Sequence, residues 1–162
     1  MSADSMSSRV LAVYLKDHFA GATAGVALAQ RVAKSNADRS SGQALARVAA
    51  EIEGDRETLK QLMAELGVRG SLLKNAGTWA MERLARLKPN GRASGAGSAF
   101  HRMHELESLG LGIAGKQALW DALRSVPNAA SRVDLDRLEG RARSQREVVE
   151  RERLALAREA LA

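Results

Sequence analysis

Cysteine is absent from this 162-residue chain. That excludes disulfides and any thiolate nucleophile or metal ligand, and it fits a reducing, cytoplasmic setting. Aromatic residues make up only 3% of the sequence, so the interior must be filled by Ala, Leu and Val. Such a palette packs helix on helix better than it builds a sheet. Two prolines, Pro89 and Pro127, leave long stretches free to be helical. Histidine occurs only at positions 18, 101 and 104, and no nucleophile–base arrangement surrounds any of them. Ser108 lacks the strand-to-helix elbow that would expose a nucleophilic hydroxyl. No apolar run approaches the roughly 20 residues needed to span a bilayer, and no signal-like apolar region follows the start.

The clearest positive statement is residues 44–67, ALARVAAEIEGDRETLKQLMAELG. Leu45, Val48, Ile52, Leu59, Leu62 and Leu66 recur at alternating spacings of three and four, the signature of a helix with one apolar face. Asp55 occupies the seam between Ile52 and Leu59, with Glu51 one turn before it. A lone buried carboxylate is costly, so Asp55 must be hydrogen-bonded, paired, metal-bound or close to water.

The same periodicity predicts a first helix over 8–35, capped by Ser7 or Ser8, with the seam Leu11, Leu15, His18, Ala22, Gly25, Ala29 and Val32. Its small residues invite close approach of a neighbour. Residues 36–42 read as a turn, and the second helix, 43–66, ends at Gly67 as a C-cap glycine. A short amphipathic segment, 71–88, is stopped by Pro89-Asn90-Gly91, and 92–98 reads as a loop. A third long helix is expected over 98–125, carrying Phe100, Met103, Leu106, Leu111, Ile113, Trp120 and Leu123. A fourth, over 131–161, has the seam Leu135, Leu138, Ala142, Gln145, Val149, Glu152, Leu156 and Ala160. Arg143/Glu147 and Arg146/Glu150 are spaced to pair along it. Length and pattern together predict one domain over residues 1–162.

The formal net charge of +6 is local. Residues 69–102 hold seven basic side chains against Glu82, while the remainder is balanced at 18 of each sign. Lys74, Arg83, Arg86, Lys88 and Arg92 are therefore candidates for a surface that meets an anion or an acidic partner. Nucleic acid is not the expected partner: the segment carries no recognised motif and only Trp79 and Phe100 as aromatics. Nineteen arginines against six lysines point to a GC-rich, bacterial genome.

Two long helices, a long connection containing a small one, then two more long helices: this layout resembles ferritin-like four-helix bundles. The resemblance implies an all-α, antiparallel four-helix bundle with one long crossover. It also raises the question of metal, since that family places a Glu from two helices and Glu-x-x-His from the other two between the helices. Glu51 and Glu107 match glutamate positions of the pattern, and His18 stands where another glutamate is expected. Glu51 is followed three residues later by Gly54 instead of His, and the last helix has no histidine.

Folding the first pair of helices about residue 38 brings His18 within about one turn of Asp55. Folding the second pair about residue 128 sets Glu107 opposite position 149. An interior polar cluster of His18, Glu51, Asp55, Glu107 and Gln145 follows, read first as a hydrogen-bonded His18–Asp55 pair and otherwise as a site for Fe, Mn or Zn. Residues 110–117, GLGIAGKQ, mimic a dinucleotide fingerprint and half a phosphate loop. Both motifs need a strand before the glycines, where this sequence reads as helix. Close helix packing is the expected use of these glycines, with Lys116 a solvated or snorkelling base. The functional expectation is a non-catalytic or degenerate ferritin-like bundle with no required cofactor. The alternatives are a metal-binding oxidoreductase relative and a basic module binding an acidic protein, with a homodimer as a further expected state.

Overall fold

The computed structural model describes residues 3–68 and 96–162 of the chain. Every regular element among the described residues is helical. They are α1 (Ala3–Ser35), α2 (Gly42–Glu65), α3 (Ala96–Arg124), the single turn α4 (Pro127–Ala130) and α5 (Leu135–Leu161). The 71–88 segment and the basic residues Lys74, Arg83, Arg86, Lys88 and Arg92 lie outside the described residues. No helix among the described residues is long and apolar enough to cross a membrane.

Helix boundaries follow local chemistry. In the 36–41 turn, buried Asn36 donates from Nδ2 to the Val32 carbonyl at 2.8 Å, holding the end of α1. The chain then passes so close to itself that a Cβ on Gly42 would lie 2.7 Å from the Ala37 carbonyl oxygen and 2.8 Å from that of Asn36. Only glycine fits there. At the other end of α2, Gly67 takes the left-handed conformation (φ 69°) as the sequence predicts. The Gly67 N–H donates to the Ala64 carbonyl (3.1 Å) and Val68 N–H to that of Met63 (2.9 Å), the paired bonds of a Schellman cap. The fourth long helix starts later than expected because Pro127 sits at the first position of α4, and the chain then turns through 131–134. Asp134 caps α5 by accepting from the Arg137 N–H at 3.0 Å. The first helix, conversely, begins at Ala3, ahead of the expected Ser7 or Ser8 cap.

α1 packs on α2 and α3 on α5, forming two helical hairpins; α1 also touches α3, and α2 touches α5. Arg31–Glu105 (2.8 Å) ties α1 to α3, and Arg124 spans to Asp136 (2.7 Å) and Glu139 (2.8 Å) on α5. On α5, Glu150 takes Arg153 (2.7 Å) as its partner in place of Arg146, which reaches Gln117 instead.

Leu45, Ile52 and Leu59 point inward as the seam predicts, while Leu66 is half-buried. The core is in two parts. One gathers Val32, Leu45, Val48, Ile52, Leu106, Ile113, Val149 and Leu156, from all four long helices. The other gathers Leu15, Phe19, Leu59, Leu62, Leu119, Trp120, Leu123 and Leu138. Phe100 and Leu111, expected among the apolar positions of α3, are exposed.

The glycines behave differently from the close-packing expectation. Among the described residues, a Cβ at Gly21, Gly25, Gly112 or Gly115 would meet nothing within 4 Å, and at Gly110 only Val149 at 3.8 Å. Gly25→Ala should therefore stabilise the protein by about 0.5–1 kcal/mol through helix propensity and a less flexible unfolded chain. Gly42→Ala should cost on the order of 1–3 kcal/mol, because backbone oxygens must move. Urea denaturation of the two variants checks both signs.

Candidate functional site

Between the two halves of the core lies a charged layer. Asp55 enters from α2, Lys116 from α3, and Arg141 and Gln145 from α5, with Glu51 one turn from Asp55. The Asp55 side chain is 1% exposed. Its Oδ1 accepts from Arg141 Nη2, and its Oδ2 accepts from Lys116 Nζ. Gln145, also buried, orients the rest. Its Oε1 accepts from Lys116, while its Nε2 donates to Glu51 Oε2 at 3.0 Å and to Asp55 Oδ2 at 3.3 Å. The amide thus turns its oxygen to the cation and its nitrogen to the carboxylates. Two acids face two bases, so the layer is formally neutral.

Asp55 is paired as the sequence requires, but not with His18. His18 packs edge-on against Tyr14, with ring centroids 4.5 Å apart, and lines the same cleft as Asp55. Partial burial lowers the His18 pKa from 6.5, and neighbouring Asp17 opposes part of the shift. Glu107 belongs elsewhere: it accepts from Arg153 at 3.4 Å and lies 3.3 Å from His104 Nδ1. Of His18, Glu51, Asp55 and Glu107, only Glu51 and Asp55 share a partner. Among the described residues, no group of three or more His, Asp and Glu is placed to hold a metal ion.

Lys116 is the residue that sequence reasoning misplaced. It is not a solvated base; its side chain is only 14% exposed, and its ammonium is bound to Asp55 and Gln145. Burial pushes its pKa below 10.5, Asp55 pulls it back up, Arg141 lowers it and Glu51 raises it. The signal was present: Leu106, Leu109, Ile113, Lys116, Trp120 and Leu123 are spaced as one seam, and Lys116 interrupts it as Asp55 interrupts the seam of α2. The 110–115 glycines are in the middle of continuous helix, so neither nucleotide motif has its strand.

Beside the layer, a cleft of about 860 Å³ opens between α1, α2 and α3. Its walls include Gly21, Ala22, Gly25, Leu28, Ile52, Leu59, Leu109, Leu111, Gly112, Gly115 and Trp120, with Asp17, His18, Asp55, Arg56 and Lys116 supplying polar groups. The small residues keep α1 and α3 from filling this space, and a Cβ added at Gly21, Gly25, Gly112 or Gly115 finds no neighbour within 4 Å among the described residues.

No protein-family model, curated protein or solved structure matches this chain.

Removing the Asp55 carboxylate would take away the acid bonded to both Lys116 and Arg141 and leave the two cations of the layer against one acid, Glu51. Asp55→Ala should cost about 3 kcal/mol, and Asp55→Leu combined with Lys116→Met should cost less than the single change, because apolar pairs replace enclosed ion pairs well. Thermal melts of both variants test the inequality. His18 titrates with the opposite preference to a paired histidine. Its folded pKa is lowered, so the unfolded chain takes up the proton first and stability falls as pH drops from 6.5 towards the folded value. His18→Gln should flatten the stability–pH profile in that window, measured by urea denaturation across pH 5–7, a range set by the ordinary histidine pKa of about 6.5.

Proposed function

We propose that the chain is a non-catalytic bundle of ferritin-like layout, in which its own cations, Lys116 and Arg141, take the place that metal ions hold between the helices of that family. The layout supports this reading: two helical hairpins pack together, with the long stretch 66–95 between them. The observation that carries it is the saturation of Asp55. One oxygen accepts from Arg141 and the other from Lys116 and Gln145, so both are already engaged by the protein's own donors.

A divalent ion entering this layer would have to displace two charge-assisted bonds and leave two buried cations beside it. That exchange is unfavourable, because enclosed charges without partners are costly. The carboxylates also lack the histidines that complete the family's pattern, with His18 turned to Tyr14 and His104 exposed beside Glu107. No activated nucleophile is present in the layer; Gln145 is an amide, Asp55 is bonded through both oxygens, and Glu51 accepts from Gln145 through Oε2. The role left to this group of residues is to hold three helices, α2, α3 and α5, in one register around a polar centre.

After chelator treatment, addition of Fe²⁺, Mn²⁺ or Zn²⁺ should leave the melting temperature of the native protein unchanged. A saturable rise with any one of them, absent in the Asp55→Leu, Lys116→Met variant, would overturn this reading.

A further inference from the structure

Most acids of α5 are engaged away from one of its exposed faces. Asp136 and Glu139 bind Arg124 at 2.7 and 2.8 Å, Glu150 binds Arg153 at 2.7 Å, and Glu159 binds Arg39. The arginines of the remaining face are left without such partners. Arg143 and Arg158 make no hydrogen bond or ion pair among the described residues. Arg146 donates to the neutral amide of Gln117 at 3.4 Å, and Arg151 lies 4.0 Å from Glu152, at the outer limit of an ion pair. All four arginines are exposed, and all four line one groove of about 610 Å³ along α5, with Gln117 of α3 on its edge. Leu154, 44% exposed, lies in the same groove. Positions 143, 147, 151, 154 and 158 return to one side of a helix, and the arginines span roughly 22 Å along it. Of the two acids on the groove, Glu150 is the one held by Arg153, so Glu147 stands alone among four guanidiniums.

We propose that this groove docks an acidic amphipathic helix of a partner protein, whose carboxylates pair with Arg143, Arg146, Arg151 and Arg158 while an apolar side chain covers Leu154. Charge complementarity argues for the acids: guanidinium groups without acceptors offer their forks to carboxylates. Leu154 argues for the apolar anchor, since a charged rim around an exposed leucine matches the polar rim and apolar centre of a helix-binding groove. A nucleic-acid strand fits less well. Glu147 would repel its evenly spaced phosphates, and no aromatic side chain lines the groove for a base to stack on. One leucine is too little apolar surface to enter a bilayer. A second copy of the chain, with its excess of +6, is a poor source of the acids. The polar layer has no part in this inference, and a metal titration leaves it untouched.

The test is fluorescence anisotropy on the full chain with a labelled helical peptide of about 18 residues, long enough to cover the arginines. The peptide carries Leu at every third or fourth position and Glu elsewhere. It should bind saturably at about 0.15 M NaCl, and at least tenfold more weakly at about 0.5 M, where screening shortens the reach of the charges. Arg143→Gln with Arg158→Gln breaks no internal bond and should weaken binding about fivefold, the value of two exposed charge pairs. Leu154→Ser should weaken it about threefold, in line with the part of the side chain still open to solvent. Circular dichroism and the melting temperature report whether each variant is folded. Reversing Lys74, Arg83 and Arg86 to Glu, outside the groove, should change the affinity less than threefold. Absence of saturable peptide binding to the parent protein would overturn the proposal. So would full binding by the folded Arg143→Gln, Arg158→Gln protein, or a larger loss in the Lys74, Arg83, Arg86 variant than in that one. Tighter binding of oligothymidine or of phosphatidylserine vesicles than of the peptide, at equal salt, would overturn it as well.

Discussion

A carboxylate carried into the middle of an apolar seam has to be answered from several directions at once, and the arrangement of the helices follows from that demand. Asp55 needs a partner for each oxygen; α3 supplies Lys116 and α5 supplies Arg141 and Gln145. The three helices can meet the requirement only at one relative height. Above and below that height the contacts are ordinary side-chain packing, Leu and Val on one side, Leu, Phe and Trp on the other. Such packing tolerates sliding and rearrangement better than a hydrogen-bonded charge cluster does.

The layer contributes little to stability in proportion to what it encloses, because desolvation offsets most of the attraction between buried ions. Its contribution is to specificity. A slip of α3 by one turn would bring Lys116 opposite Ile52 or Leu59 and leave Asp55 facing Ile113 or Trp120. Each misplacement strands a charge, so the correct register is separated from its neighbours by more than the packing alone would provide. Gln145 strengthens the discrimination, since its amide satisfies both signs only when acid and base stand on their present sides.

Much of this was legible in the sequence. The three-and-four spacing located the long helices, Gly67 marked the end of α2, and the single acid in the α2 seam marked the polar layer before any coordinate was known. Gln145 stood on its seam for the same reason. What the sequence did not show was the partner. Counting residues back from the 36–41 turn brought His18 near Asp55 in height, but height does not fix rotation, and α1 turns Leu15 and Phe19 into the core while His18, Ala22 and Gly25 border the cleft. Lys116 was hidden by its company: glycines that resemble a phosphate loop drew attention from the seam that Lys116 shares with Ile113 and Trp120. The glycines themselves were expected to bring helices together, and instead hold open the space beside Trp120.

Both acids of the layer, Glu51 and Asp55, belong to the first hairpin, and both cations, Lys116 and Arg141, to the second. Each hairpin thus carries unmatched charge of one sign on the face it must bury, and neither is self-sufficient. Nothing in the layer distinguishes a second hairpin of the same chain from the second hairpin of another copy. Reciprocal exchange between two molecules would satisfy the same bonds twice over. The protein is in this sense built from two complementary buried faces, one contributing acids and the other bases to the layer, and high concentration during refolding is the condition under which a domain-swapped dimer of the two hairpins would compete with the monomer.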